Sequence, residues 1–213
     1  MLGRMSISVS ALPDAPEQGA PVNAVNESAE TLALMALRRS TKIAHLGEPG
    51  PNPDEIDALI RVAARVPDHG KLGPWRFVVF EGDARARAGA ALAQVIENDD
   101  GVDASMTDAA RGLLLRAPAC VMVVSTAAPH PKIPEWEQVL SAGAVSFALL
   151  LAAHAMGYAG AWLTEWPAFD ERARAALGLT PSERIAGFVY LGSTLEAASE
   201  RMRANAASRI SRF

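Results

Sequence analysis

Apolar residues recur along the chain at two spacings, one typical of helices and one typical of short strands. The helical spacing predicts helices over residues 28–38, 53–66, 83–98, 104–116, 135–156 and 170–177. Short apolar runs predict strands over residues 77–80, 119–124, 160–163 and 185–191. Because a helical segment separates each strand from the next, a ladder of hairpins is not expected. The pattern favours a layered fold of helices packed on a sheet.

Two of these helices carry a further signal. Asn52–Pro53–Asp54–Glu55 combines an N-cap asparagine, a proline in the first turn and an acid at the third position, which predicts a helix start. The helix over residues 135–156 is apolar on nearly every side from Ala142 onward, so we expect it to be buried. Its small residues from Ala142 to Ser146 would let another helix approach closely. That feature indicates a domain centre or a subunit interface.

The two ends of the chain differ from its middle. Residues 1–27 are rich in Ser, Ala, Pro and Asn with little periodicity, which predicts a flexible N-terminal arm. Residues 28–213 are expected to form one domain that ends in a basic C-terminal arm. The arginines of that arm are Arg201, Arg203, Arg209 and Arg212.

Composition narrows the class of protein. Half of the residues are hydrophobic and the net charge is −4, which argues against nucleic acid as a partner. The single cysteine, Cys120, lies in an apolar run typical of a buried strand, so a disulfide cannot form within the chain and a reducing compartment is favoured. The apolar stretch 142–156 is shorter than the roughly 20 residues that span a bilayer, and the N-terminus lacks a signal-peptide pattern. We therefore expect a cytoplasmic protein without a membrane partner.

Several common catalytic motifs do not occur in the sequence. The chain has no G-x-x-x-x-G-K-[ST] phosphate loop, no G-x-G-x-x-G turn and no G-x-S-x-G elbow. Its four histidines are scattered, without an H-E-x-x-H pattern or a Cys/His pairing, so a metal site is not expected. We also identify no catalytic nucleophile, general acid or general base.

Two polar clusters remain as candidate binding sites. Arg38–Arg39–Ser40–Thr41–Lys42 places three cations and two hydroxyls where a helix meets a loop, which suits a phosphate monoester. The alternative is a solvated basic helix end that the helix dipole favours. The second cluster, residues 65–77, is a Pro/Gly loop rich in donors, in which His69 could face a ligand. The alternative is an Asp68–His69 turn that only satisfies the backbone.

Taken together, the clusters resemble motifs of the FMN-dependent nitroreductase family. Residues 38–42 are similar to the family's R-[RH]-S-x-[KR] opening, and Pro67–Asp68–His69 with Pro74–Trp75–Arg76–Phe77 is similar to its second segment. Three later segments also resemble the small-subunit branch of bacterial nitroreductases. They are Lys132–Gln138, Gly157–Trp162 and Gly187–Gly192. The similarity extends in order over residues 30–195.

The resemblance implies a fold, a partner and a cofactor. The expected fold is α+β, with a mixed sheet flanked by helices, in an intertwined homodimer that holds two FMN molecules at its interface. By resemblance, the cofactor-binding residues fall into three groups. Arg38, Arg39 and Ser40 would hold the FMN phosphate and ribityl chain, Arg65 and His69 would reach the flavin from the other subunit, and Trp162, Leu163 and Thr164 would line it. Lys42 would be a cation near the flavin, and Arg209 or Arg212 would add a phosphate contact.

The implied reaction takes hydride from NAD(P)H onto the flavin and passes it to a small-molecule acceptor such as a nitroaromatic or a quinone. The residues leave two alternative functions open. One is the same fold with other flavin chemistry, such as flavin breakdown or dehalogenation. The other is a non-catalytic protein that binds flavin or another anion. For Trp162, packing in the core is an alternative to a side-chain contact with the cofactor.

Overall fold

An antiparallel sheet lies at the centre of the structure, a computed structural model that describes residues 7–22 and 26–213. The strands are β1 (Leu46–Gly47), β2 (Trp75–Glu81), β3 (Ala119–Ser125), β4 (Ala159–Leu163) and β5 (Arg184–Thr194). β5 pairs with β3 along one edge and with β4 and the short β1 along the other, and β2 pairs with β3. The four longer strands were expected from the sequence, whereas β1 is too short to show a periodicity.

Helices cover both faces of this sheet. They are α1 (Ala29–Leu37), α2 (Pro53–Ala63), α3 (Asp83–Ile96), α4 (Ala104–Gly112), α5 (Glu135–Ala155) and α6 (Glu171–Ala176). α2 and α5 pack on one face, and α3 and α6 lie on the other, with α4 against α3. The predicted helix over residues 104–116 instead ends at Gly112 and continues as a 3-10 turn.

Local sequence explains where the helices start. The predicted capping box is present in α2: Asn52 Oδ1 accepts a hydrogen bond from the Glu55 amide, and the Glu55 carboxylate accepts one from the Asn52 amide. Ser28 caps α1 in a similar way through the Thr31 amide. These contacts satisfy amides that have no partner within the helix itself.

The central strand divides the core into two layers. Every residue of β3 is buried, and its side chains alternate between the faces, as the period of a strand requires. Cys120 and Met122 join the layer beneath α3 and α6, whereas Val121 and Val123 join the layer beneath α2 and α5. Burial raises the pKa of the Cys120 thiol well above its usual value, so this thiol is a core residue rather than a reactive one.

The direction of the strands corrects one expectation. A mixed sheet is expected from the resemblance, but every pair of described strands is antiparallel. β3 and β4, which α5 connects, do run in the same direction. β5 lies between them, with Tyr190 opposite both Cys120 and Ala161. The crossover helix therefore links two strands that are not neighbours, and a parallel pair does not form.

α5 is longer than its most apolar stretch. Among the described residues it is the one helix whose length and composition would suit a membrane span. However, 44% of its most apolar 18-residue window is buried. α5 packs against α2 and against β3, β4 and β5, which is the position of a core helix.

Part of the N-terminal arm lies against the domain. Residues 1–6 and 23–25 fall outside the described residues, so the predicted flexibility of the whole arm stays a prediction. Within the described part, Val9 begins a short 3-10 turn that Leu12 caps, and both side chains pack on the layer that α2 covers.

The contact between α3 and α4 generates a stability prediction. A Cβ atom at Gly89 would lie 2.0 Å from the carbonyl oxygen of Arg111, so Gly89→Ala would force the two helices apart. We expect this change to lower the free energy of unfolding by about 2 kcal/mol. Gly112→Ala is the matched control, because a Cβ there has no atom within 4 Å. Urea denaturation followed by circular dichroism should separate the two variants, and equal midpoints would contradict the close packing.

Candidate functional site

The first cluster directly follows the C-terminus of α1 and is attached to the sheet. Arg38 is the C-cap residue of α1, and its guanidinium donates a hydrogen bond to the Ser40 hydroxyl at 3.4 Å. The amide of the next residue, Thr41, donates a hydrogen bond to the Gly160 carbonyl in β4, at 2.9 Å. This backbone hydrogen bond fixes the position of the basic cluster relative to β4.

The C-terminal arm folds back onto the same cluster. Arg39 Nε donates a hydrogen bond to the Ser199 carbonyl at 3.0 Å. Arg203 Nη2 donates one to the Arg38 carbonyl at 3.5 Å. Arg201 is near enough to act electrostatically on Arg38. Arg201 and Arg203 are therefore arm residues found beside the cluster, and a phosphate contact from Arg209 or Arg212 stays a prediction. The sequence shows all four arginines but not which of them the chain returns to Arg38.

Arg38 is a crowded cation with no negative partner in the part of the chain that the structure describes. Partial burial lowers its pKa from the usual value, and repulsion by Arg203, Arg39 and Arg201 adds to the effect. Its Nε atom is buried and has no hydrogen-bond partner among the described residues. The guanidinium carbon lies 5.8 Å from the centre of the Phe147 ring, which is an apolar neighbour.

His154, at the C-terminal end of α5, adds no further positive charge beside Arg38. Burial, with a further contribution from Arg38, lowers the pKa of His154 to about 4, so its imidazole is neutral at pH 7. Its Nδ1 atom is also buried without a partner among the described residues. An anion bound at Arg38 would satisfy the guanidinium and relieve the repulsion, so the arrangement fits a phosphate monoester.

The second cluster is a loop between α2 and β2 that α5 holds in place. The Ser141 hydroxyl donates to the Pro67 carbonyl at 2.8 Å and accepts from Trp75 Nε1 at 3.2 Å. Asp68 accepts a hydrogen bond from the Gly73 amide at 2.8 Å, which is the backbone-satisfying role considered for this residue. The loop is therefore a rigid platform.

His69 lies on this platform and is oriented by a residue that the sequence did not single out. Its Nδ1 atom lies 2.6 Å from a carboxylate oxygen of Glu137, and 59% of the His69 side chain is exposed. Arg65, two residues beyond α2, is exposed as well. Glu137 belongs to the Lys132–Gln138 segment, which carried resemblance but no assigned role. Both predicted ligand residues are thus accessible to solvent.

One chain does not bring the two clusters together. Arg38 meets α5 at Phe147, whereas His69 meets it at Glu137. Ten residues of helix separate these points, which corresponds to about 15 Å along the axis. A ligand that contacts Arg38 through its phosphate and His69 through a ring would need a long span or a second chain.

The third segment lies at the end of β4. Trp162 Nε1 donates to the Ala186 carbonyl at 3.1 Å, and a Cβ atom at Gly187 would lie 1.9 Å from that nitrogen. The Trp162 side chain therefore packs against β5, which agrees with the packing role considered for this residue as an alternative to a cofactor contact. Leu163 is 40% exposed and Thr164 is also exposed, so both residues are accessible at the strand end.

The arginine cluster generates a prediction with opposite signs in two conditions. Without an anion, Arg203→Ala should leave the thermal midpoint unchanged or raise it, because a repulsive charge is removed. With phosphate present, the same change should weaken anion binding by about tenfold, because a charged donor is lost. The check is the thermal midpoint in phosphate against sodium chloride at equal ionic strength. Arg212→Ala, in the same arm, is the control, and an equal phosphate response in both variants would contradict the assignment.

Comparison with known proteins relates this geometry to a family. The model of the Nitroreductase family matches residues 35–193. The chain is 38% identical over 168 residues to YdjA of Escherichia coli K12, covering 77% of this chain and 88% of YdjA. It is 35% identical over 176 residues to a protein of Haemophilus influenzae Rd, covering 82% and 94%. Both relatives are named, provisionally, as NAD(P)H nitroreductases.

Solved structures with a similar fold include two proteins described as nitroreductases. A nitroreductase-like family protein from Bacillus cereus aligns with a TM-score of 0.76 at 19% identity, covering 89% of this chain and 99% of that protein. A nitroreductase from Bacteroides fragilis with bound FMN aligns with a TM-score of 0.64 at 20% identity, covering 87% and 100%. At these sequence identities the structural similarity is evidence for the fold alone. With the family match and the two relatives, they lead to one conclusion: this chain belongs to the nitroreductase family.

Proposed function

We propose that this protein is an FMN-dependent oxidoreductase that takes hydride from NAD(P)H and reduces nitroaromatic, quinone or similar acceptors. One observation carries the proposal: a half-buried arginine, Arg38, is surrounded by cations, has a buried nitrogen without a partner and lies beside a serine hydroxyl. In a member of the nitroreductase family, this is the arrangement that a flavin phosphate would complete. The names of the two relatives and the FMN in the Bacteroides fragilis structure favour the same cofactor and electron donor.

Three groups of residues would hold FMN. Arg38, Arg39 and Ser40 would bind the phosphate and ribityl chain, with Arg203 as an added donor. Arg65 and His69 would approach the ring system from a second subunit. The third group is Trp162, Leu163 and Thr164, of which Trp162 would contribute backbone rather than its packed side chain.

The FMN ring, when bound, supplies the hydride chemistry of both half-reactions. The chain then needs to position the cofactor and control its electrostatics, and none of its side chains is assigned as a nucleophile, a general acid or a general base. Lys42 is exposed at the rim of the Arg39–Ser40 concavity, where a cation would favour the more electron-rich form of the ring.

A homodimer is part of the proposal. α1 is rich in apolar residues yet has none that is buried: Leu32 is 69% exposed and Leu37 is 77% exposed. α5 also exposes Trp136 and Leu140. Such surfaces on a soluble fold are typical of subunit interfaces. A second chain that covers them could also bring its His69 to the phosphate site of the first chain. The buried, unpaired Cys120 supports a cytoplasmic location.

Absorption spectroscopy tests the cofactor and the reaction. We expect the purified protein to show the two-banded spectrum of bound flavin and to bleach when NADH or NADPH is added without oxygen. A nitroaromatic or quinone should then restore the colour. A flavin spectrum that the nicotinamides leave unchanged would favour other flavin chemistry, and a protein that FMN cannot reconstitute would overturn the proposal.

Subunit mixing tests whether the site is shared between chains. Arg38→Ala/Ser40→Ala and Arg65→Ala/His69→Ala should each lose FMN, because each variant damages one half of every site. Unfolding and refolding the two together should restore about a quarter of the sites, since half of the dimers are mixed and each carries one intact site. The measurement is bound flavin per chain. If each site lay within one chain, mixing would restore none.

A further inference from the structure

Glu165, which directly follows Thr164, has a backbone conformation that is unusual for its residue type. Its φ is 59° and its ψ is 164°, a region that essentially only glycine adopts without strain. The chain leaves β4 at Leu163 and enters a 3-10 turn at Trp166, and the Ala168 amide donates to the Glu165 carbonyl at 3.2 Å. Glu165 is therefore the point at which the chain turns away from the sheet.

A charge contact holds this strained residue. The Glu165 carboxylate is mostly buried and forms an ion pair with Arg116. Arg116 is itself fixed, because its Nε donates to the Leu113 carbonyl at 2.9 Å and its Nη2 donates to the Tyr190 hydroxyl at 2.9 Å. Its guanidinium carbon also lies 5.1 Å from the centre of the Tyr190 ring. The ion pair can therefore compensate for a backbone conformation that glutamate would otherwise avoid.

The contact connects the turn to the sheet that carries it. Tyr190 is fully buried in β5, directly opposite Ala161 of β4. Arg116 thus joins Glu165, at the end of β4, to a residue that is paired with the middle of the same strand. If the Glu165 contact were lost, the turn would relax toward negative φ, and the residue before it would change direction.

We propose that Glu165 is a positioning residue: through Arg116 it holds the turn that presents Leu163 and Thr164 to the flavin. The inference rests on the proposed function, in which residues 162–164 line FMN. Glu165 need not touch the cofactor, because its effect passes through the backbone of Thr164. The device explains why an acid occupies a position where glycine would meet the backbone requirement alone.

A series of substitutions at Glu165 separates its two contributions. Glu165→Gly removes the carboxylate but tolerates the positive φ, so the turn can persist. Glu165→Ala removes the carboxylate and lacks that tolerance, so the turn relaxes. We therefore expect FMN affinity to fall in the order wild type, Gly, Ala, with Ala about tenfold weaker than wild type. Glu165→Gln keeps a hydrogen-bonding group and should lie between wild type and Ala. The measurement is fluorescence titration of the apoprotein with FMN, together with the visible circular dichroism of the bound flavin.

Glu183→Gln is the matched control. The Glu183 side chain is similarly buried and pairs with Arg76 at 2.6 Å, but it contacts Thr180 rather than the end of β4. This change should lower the thermal midpoint and leave FMN affinity and the flavin signal unchanged. If all Glu165 variants bind FMN as the wild type does and lose only thermal stability, as the control does, the positioning role is wrong. If the wild type itself binds no FMN, the proposed function fails, and this inference fails with it.

Discussion

The packing of α5 across one face of the sheet is the constraint on which the arrangement of the site depends. The basic cluster meets α5 at Phe147, the loop of residues 65–77 is held by Ser141, and His69 is oriented by Glu137. Trp162, at the start of the third segment, lies beside Gly143 of the same helix. A rigid helix with four such contacts transmits any shift in its own position to both polar clusters and to Trp162.

Arg38 lies in surroundings that a bound anion would stabilise. A partly buried guanidinium that faces three other arginines raises the free energy of the protein without an anion. His154 is neutral and therefore adds no further repulsion. Binding of a phosphate would remove both the repulsion and the unsatisfied donor, so affinity and stability are linked. The cluster is thus better suited to binding an anion than to stabilising the fold by itself.

The distance between the two clusters and the exposed apolar faces have a common explanation in the proposed dimer. A single chain leaves Leu32, Leu37 and Trp136 in contact with solvent, which costs hydrophobic free energy. The same chain separates Arg38 from His69 along α5. Association of two chains would bury the first group and bring the second pair to one ligand.

Local patterns in the sequence were enough to predict the longer strands, the capped start of α2 at Asn52 and the two polar clusters, because each depends on residues only a few positions apart. They could not predict that β5 inserts between β3 and β4, which makes the sheet antiparallel rather than mixed. They also could not show that Arg203 returns to Arg38, that Glu137 orients His69 or that Arg116 holds Glu165. Each of these contacts joins residues far apart along the chain, and only the packing of the whole domain decides which distant charges meet.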